Sequence, residues 1–240
     1  MSGRLVLLRH GESKWNRDQR FTGWADVELT ALGQTQMREA CRALRDAGIE
    51  VDLAFASVLR RCVHSLWIAL DEMQRFWIPQ QLDWRLNERN YGGLTGLLRE
   101  DALRAFGEAK VRHWRRSPNA TPPPVDERAS SLIAIDARYP EPAAHRALQG
   151  ESLLQTMDRV REAWMESVAP SLHQGRRVLM VGHGNALRAL TAIVEDLDDD
   201  RVAKLEIANG TPVVYELNDS LKPRSKTVLD AGSRTPSEIL

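Results

Sequence analysis

Short apolar runs bounded by charge recur along this chain, and longer stretches with helical period lie between them. Leu5–Leu8 is a continuous apolar run closed by Arg9-His10, and the pattern returns at Leu53–Ala56 and Val178–Val181. Runs of this length without alternation read as strands buried on both faces, as in a parallel sheet. Between them, Met37, Ala40, Cys41 and Leu44 follow the spacing of an amphipathic helix, with Thr30 as N-cap and Gly48 as stop. Val63, Leu66, Trp67 and Leu70 repeat the stripe and end before Pro79, which places Trp67 on the core side. Met157, Val160, Trp164 and Val168 form a third stripe running toward Gly175, and Leu190, Ile193, Val194 and Leu197 a fourth. Alternating strand and helix signals predict an α/β fold, a three-layer α/β/α arrangement with a mainly parallel sheet.

One stretch breaks this rhythm. Residues 117–150 hold Pro118, Pro122, Pro123, Pro124, Pro140 and Pro142 with weak periodicity, too proline-rich for a core helix or central strand. The α/β pattern continues after it, so it reads as a structureless insertion, either disordered or a lid, within one domain spanning 1–226. The polar tail, 227–240, is expected to be mobile.

Charge narrows the range of functions. The 33 Lys and Arg residues balance 33 Asp and Glu residues among 240, which removes the electrostatic basis for a dedicated nucleic-acid binder or a polybasic membrane anchor. No apolar run approaches the ~20 residues of a membrane span. Cys41 and Cys62 lie in helical stretches and form no C-x-x-C, so neither zinc nor a disulfide framework is indicated, and a reducing cytoplasm fits best.

Two His-Gly turns follow two of the strands, Arg9-His10-Gly11-Glu12 and His183-Gly184-Asn185. Ligands bind outside the carboxyl ends of the strands in open α/β sheets, so these turns can share one cleft. Either dipeptide alone equally describes an ordinary polar turn. Arginines shift the balance: Arg9 adjoins His10, Arg60-Arg61 open a helix after a strand, and Arg115-Arg116 precede the prolines. Planar guanidinium groups converging on two histidines describe an oxyanion site; separately, each pair also fits a solvated helix end. A metal held by His10, His183 and Glu88 is disfavoured by the same cations. Glu88, within Leu86-Asn87-Glu88-Arg89-Asn90-Tyr91-Gly92-Gly93-Leu94-Thr95-Gly96, is a carboxylate able to move a proton, in a loop whose glycines suit a close approach or a surface turn.

These residues carry a resemblance. The opening 5–13, with Asn16 and Phe21-Thr22-Gly23-Trp24, resembles the signature of the histidine phosphatase superfamily, and more narrowly the 2,3-bisphosphoglycerate-dependent phosphoglycerate mutases. The likeness continues through Ala56–Arg61, Leu86–Arg89, Tyr91–Leu94, Trp114-Arg115-Arg116, Glu151-Ser152-Leu153 and His183–Arg188, covering about 4–223. It implies a phosphoglycerate mutase-like fold in which His10 accepts a phosphoryl group, His183, Arg9 and Arg61 stabilise its oxygens, and Glu88 is the general acid and base. Asn16, Thr22, Gly23, Tyr91, Arg99, Arg115, Arg116, Gly184 and Asn185 would bind substrate. The implied reaction interconverts 3-phosphoglycerate and 2-phosphoglycerate in glycolysis and gluconeogenesis, primed by 2,3-bisphosphoglycerate and without a metal. A phosphohistidine-dependent phosphatase is the alternative, and a non-catalytic scaffold a remote third. The resemblance also implies a homodimer, with Phe76 or Trp77 in the subunit contact. Two departures from the family pattern stand out: Leu98-Arg99 where Asn-Lys is usual, and Asn90 where histidine is common.

Overall fold

The computed structural model describes residues 3–229 and the backbone of 237–238. Seven strands form one sheet in the order β3-β2-β4-β1-β5-β6-β7: β1 (Arg4–Arg9), β2 (Leu53–Ala56), β3 (Gln80–Leu82), β4 (Arg177–Gly182), β5 (Pro212–Leu217), β6 (Pro223–Val228) and β7 (Ser237–Glu238). The four from β3 to β1 are parallel, and β5, β6 and β7 extend the sheet antiparallel. The three strands read from apolar runs form its parallel centre. The antiparallel half was not legible, because its strands alternate or are largely polar. Thr227 and Val228, counted above with the tail, pair with β7; residues 230–236, 239 and 240 lie outside the described residues.

The helices are α1 (Lys14–Arg17), α2 (Ala31–Asp46), α3 (Arg60–Glu72), α4 (Arg99–Phe106), α5 (Glu108–Arg116), α6 (Glu127–Ser130), α7 (Glu141–Ala147), α8 (Leu153–Ala163), α9 (Ala169–His173), α10 (Gly184–Glu195) and α11 (Asp199–Lys204). Alternation along β1 builds the layers. Leu5 and Leu7 face a core completed by α8 and α10, whereas Val6 and Leu8 face one completed by α2 and α3. Each such burial contributes about 1.5–3 kcal/mol. Thr30 caps α2 by accepting the Gly33 N–H, as its position implied. Between α8 and α9, Trp164–Val168 forms a single π-helical stretch.

Two expectations are corrected. Trp67 lies on the outer side of α3 and is 54% exposed, because Cys62, Ser65, Leu66, Ala69 and Leu70 form the buried face. The segment 117–150 is also not structureless: it contains α6 and α7, and Ile133, Tyr139, Ala143 and Ala147 pack with Trp24 in a core of their own. Tyr139 stacks on Trp24 with ring centroids 5.4 Å apart. Proline density excluded long regular elements there but not a packed one.

The strand order positions the site. β1 and β4 are neighbours, with Arg9 opposite Gly182, yet the chain leaves β1 toward the α2 face and β4 toward the α10 face. The crevice at that divergence is where an open α/β sheet receives its ligand.

Candidate active site

His10 and His183 emerge from the carboxyl ends of β1 and β4, their ring centroids 5.1 Å apart and the rings nearly edge to face. The His10 turn is held by backbone contact. A Cβ at Gly11 would lie 2.0 Å from the Gly33 carbonyl oxygen, and one at Gly33 would lie 2.1 Å from that of Glu12, so the turn touches the start of α2 only because both residues are glycine. Ser65 Oγ accepts the Gly11 N–H, and Asn209 Nδ2 donates to the His10 carbonyl at 2.6 Å.

His10 Nδ1 lies 2.7 Å from the Gly11 carbonyl oxygen. A carbonyl only accepts, so Nδ1 carries the proton and Nε2 keeps the lone pair needed for attack. Burial, then the positive charges of Arg61 and Arg9, hold the His10 imidazole well below its ordinary pKa. Burial and the charges of Arg61, His10 and Arg9 do the same to His183. Both rings are thus neutral at pH 7, the form a nucleophile requires.

This has a consequence for stability. Below the unfolded-chain value of 6.5, the unfolded state binds protons at these histidines while the folded state does not, so stability is lost as the pH is lowered, until the lowered folded values are passed. Each histidine contributes a slope of up to about 1.4 kcal/mol per pH unit in that window. Urea melts from about pH 7.5 to about pH 5 should show His10→Gln losing stability less steeply than the parent; equal slopes would contradict neutral burial.

Arg61 is 1% exposed and donates to the Ala25 and Gly23 carbonyls at 2.9 Å each, which aims it at the site beside His10. Its neighbour Arg60 instead points outward to Glu28 at 2.7 Å. Arg9 donates to the Ile207 carbonyl, while its Nε, buried, has no partner among the described residues; neither has His183 Nδ1.

Glu88 sits at the N-terminus of α10. Its Oε1 accepts from the Asn185 N–H (3.2 Å), Asn185 Nδ2 (2.8 Å) and the Arg89 N–H (2.7 Å), a placement the helix dipole favours for a carboxylate. Asn185 Nδ2 also donates to the Tyr91 hydroxyl. Behind this loop lies a buried ion pair absent from the sequence reading. Arg159, 0% exposed, uses its Nε and one Nη2 hydrogen on both oxygens of Glu151, and its other donors on the Arg85, Asn87 and Glu88 carbonyls. Burial pushes the Glu151 carboxyl up, but the charge and hydrogen bonds of Arg159 outweigh it and leave a net lowering.

A cavity of about 100 Å³ is lined by Arg9, His10, Asn16, Thr22, Arg61, Glu88, Tyr91, Arg99 and Arg115, together with Arg20 and Phe21, which the sequence reading missed. It shares Arg9, Glu88, Tyr91, Arg99 and Arg115 with a wider cavity of about 470 Å³ that adds Gly184, Asn185, Arg188 and the 205–208 loop. Most of the anticipated residues thus converge. His183 lies behind the cavity, fully buried, and Gly23 serves Arg61 through its carbonyl instead of lining the cavity. Arg116 closes α5, but its side chain lies outside the described residues. Among the described residues no three His, Cys, Asp or Glu side chains are grouped to hold a metal ion, and no helix is long and apolar enough to cross a membrane.

The glycine loop approaches the proline-rich segment: a Cβ at Gly92 would lie 2.0 Å from the Pro123 carbonyl oxygen, to which Gly93 N–H donates. Asn90, the unusual residue, donates to the Arg146 and Ala147 carbonyls and accepts from the Gly92 N–H, tying the loop to α7. Arg99, at the start of α4, keeps a cation in both cavities despite the departure at 98–99.

Residues 5–226 match the histidine phosphatase superfamily (branch 1). The chain belongs to that superfamily. Among solved structures it resembles a mycobacterial glucosyl-3-phosphoglycerate phosphatase complexed with VO3, at 25% identity over 89% of this chain and 92% of that one, with a TM-score of 0.68. YhfR of Bacillus stearothermophilus is also 25% identical, over 90% and 92%, with a TM-score of 0.68. The alpha-ribazole phosphatase of Shigella flexneri, 22% identical over 97% of both chains at a TM-score of 0.70, shares the fold. For this superfamily member the match establishes the superfamily and stops short of the mutase branch; two of these three relatives are named phosphatases.

Proposed function

We propose that this chain transfers a phosphoryl group through His10 on a phosphorylated three-carbon acid, interconverting 3-phosphoglycerate and 2-phosphoglycerate. The observation that carries this reading is the distribution of cations in the cavity. Arg9 and Arg61 flank His10, while Arg20, Arg99 and Arg115 add positive charge around the same small space, with Glu88 among them. A phosphomonoester needs the first pair; a second anionic group on a short carbon chain accounts for the others. Arg9 Nε, buried with no partner among the described residues, is a donor for a phosphoryl oxygen.

In this mechanism phospho-His10 is attacked by the free hydroxyl of 3-phosphoglycerate, whose proton passes to the Glu88 carboxylate as the N–P bond breaks, leaving a bisphosphorylated acid in the site. After that acid reorients, His10 Nε2 attacks its other phosphorus, the bond from phosphorus to the ester oxygen breaks, and Glu88, now in its acid form, protonates the leaving oxygen, which releases 2-phosphoglycerate and restores phospho-His10. Arginine charges stabilise the equatorial oxygens throughout. 2,3-Bisphosphoglycerate supplies the phosphoryl group that charges the resting enzyme.

A hydrolytic outcome, in which water attacks phosphohistidine, has its own support. The mycobacterial relative is named for phosphatase activity on glucosyl-3-phosphoglycerate, and the wider cavity beside Arg188 and the 205–208 loop has room for a substituent. Product partition separates the readings. With 3-phosphoglycerate as substrate, added 2,3-bisphosphoglycerate should stimulate formation of 2-phosphoglycerate with little free phosphate. Phosphate release without isomerisation would establish the phosphatase and overturn the mutase.

A further inference from the structure

His183 has its two ring nitrogens in opposite circumstances. Nε2 lies 2.7 Å from Ser57 Oγ and 3.3 Å from Cys62 Sγ, whereas Nδ1 is buried without a partner among the described residues. Ser57 ends the β2 strand region and Cys62 lies in the first turn of α3, both fully buried, so the β2–α3 junction grips one edge of the imidazole. The Ser57 oxygen already accepts the Leu59 N–H at 3.3 Å. Its own proton therefore has His183 Nε2 as a well-placed acceptor, and the Cys62 thiol is a second, weaker donor beside the same lone pair.

We propose that Ser57, assisted by Cys62, is a positioning residue that holds His183 as the neutral Nδ1–H tautomer, so that Nδ1–H is the donor offered to the transferring phosphoryl group. The opposite tautomer would present a bare lone pair to an anionic oxygen, which repels. Burial keeps the Cys62 thiol protonated, at a pKa of about 12, consistent with a donor and not a thiolate. The inference rests on His183 belonging to a phosphoryl-transfer site, and not on whether water or a hydroxyl receives the group.

The test is long-range ¹H–¹⁵N NMR of protein labelled at histidine, with His183 assigned from the signals missing in His183→Asn. At neutral pH the unmodified protein should show a protonated-type Nδ1 and an unprotonated-type Nε2; a protonated Nε2 would overturn the proposal. Ser57→Ala should move the ring toward the Nε2–H tautomer, and it should lower kcat on 3-phosphoglycerate by about 10-fold or more, with KM changed far less. Ser57→Thr, which retains the hydroxyl, should keep the parent tautomer. Ser57→Ala with an unchanged tautomer would also sink the idea. The tautomer is read in the free protein, so failure to turn over 3-phosphoglycerate would refute the proposed substrate and leave this inference to the spectrum.

Discussion

His10→Ala is expected to lower turnover by about 10³-fold or more while the protein stays folded. The loss follows from there being no substitute nucleophile at the site. His183 Nε2 is occupied by Ser57 and Cys62, and the nearby Cys62 thiol is fully buried with its pKa raised to about 12, so it carries almost no thiolate. The fold should survive, because the contacts fixing the turn are made by backbone: His10 N–H to the Gly182 carbonyl, Asn209 to the His10 carbonyl, and Gly11 against Gly33. Steady-state turnover beside a thermal melt checks both halves. Activity near the parent's would remove His10 from the chemistry.

The second large effect is on stability. Arg159→Met should destabilise the fold by about 3–5 kcal/mol, because it strands a buried carboxylate. Glu151 would lose its bidentate partner while 4% exposed, and the Arg85, Asn87 and Glu88 carbonyls would each lose a donor. For a chain of this size the corresponding fall in Tm is roughly 6–20 °C. Activity should drop as well, since the Glu88 loop is fastened by this guanidinium. Replacing both partners, as Arg159→Met with Glu151→Leu, should recover part of the lost stability, because no unpaired charge then remains. A Tm unchanged in Arg159→Met would show that the pair contributes little.

The parallel centre of the sheet and the two histidine turns were legible because each depends on local pattern: four-residue apolar runs, then His-Gly at their carboxyl ends. Arg9, Arg61, Glu88 and Asn185 stand in or near the same local motifs, their roles being implied by the family resemblance, and the fold brings them together. Arg159 was not legible. It lies among the helical positions of α8 beside Met157 and Val160, where an arginine reads as a solvated residue, and only the return of the chain from Glu151 reveals its partner. Arg20 was missed because nothing local separates it from neighbouring surface charges. The glycine loop was legible only in part. Gly92 and Gly93 signal a close approach, and the sequence cannot say that what approaches is Pro123 instead of a ligand. Trp67 shows the limit of helical period: a shift of one residue turned an expected core side chain outward.

A phosphoryl group that passes through His10 must rest there as phosphohistidine. The most direct measurement is to expose the protein to 2,3-bisphosphoglycerate, quench at alkaline pH, where phosphohistidine survives, and locate the label by peptide mass spectrometry. One acid-labile phosphoryl group is expected, on His10, lost when the enzyme is chased with 3-phosphoglycerate and absent from His10→Ala. A stable label on another residue, or turnover with 3-phosphoglycerate and no label on His10, would contradict transfer through His10.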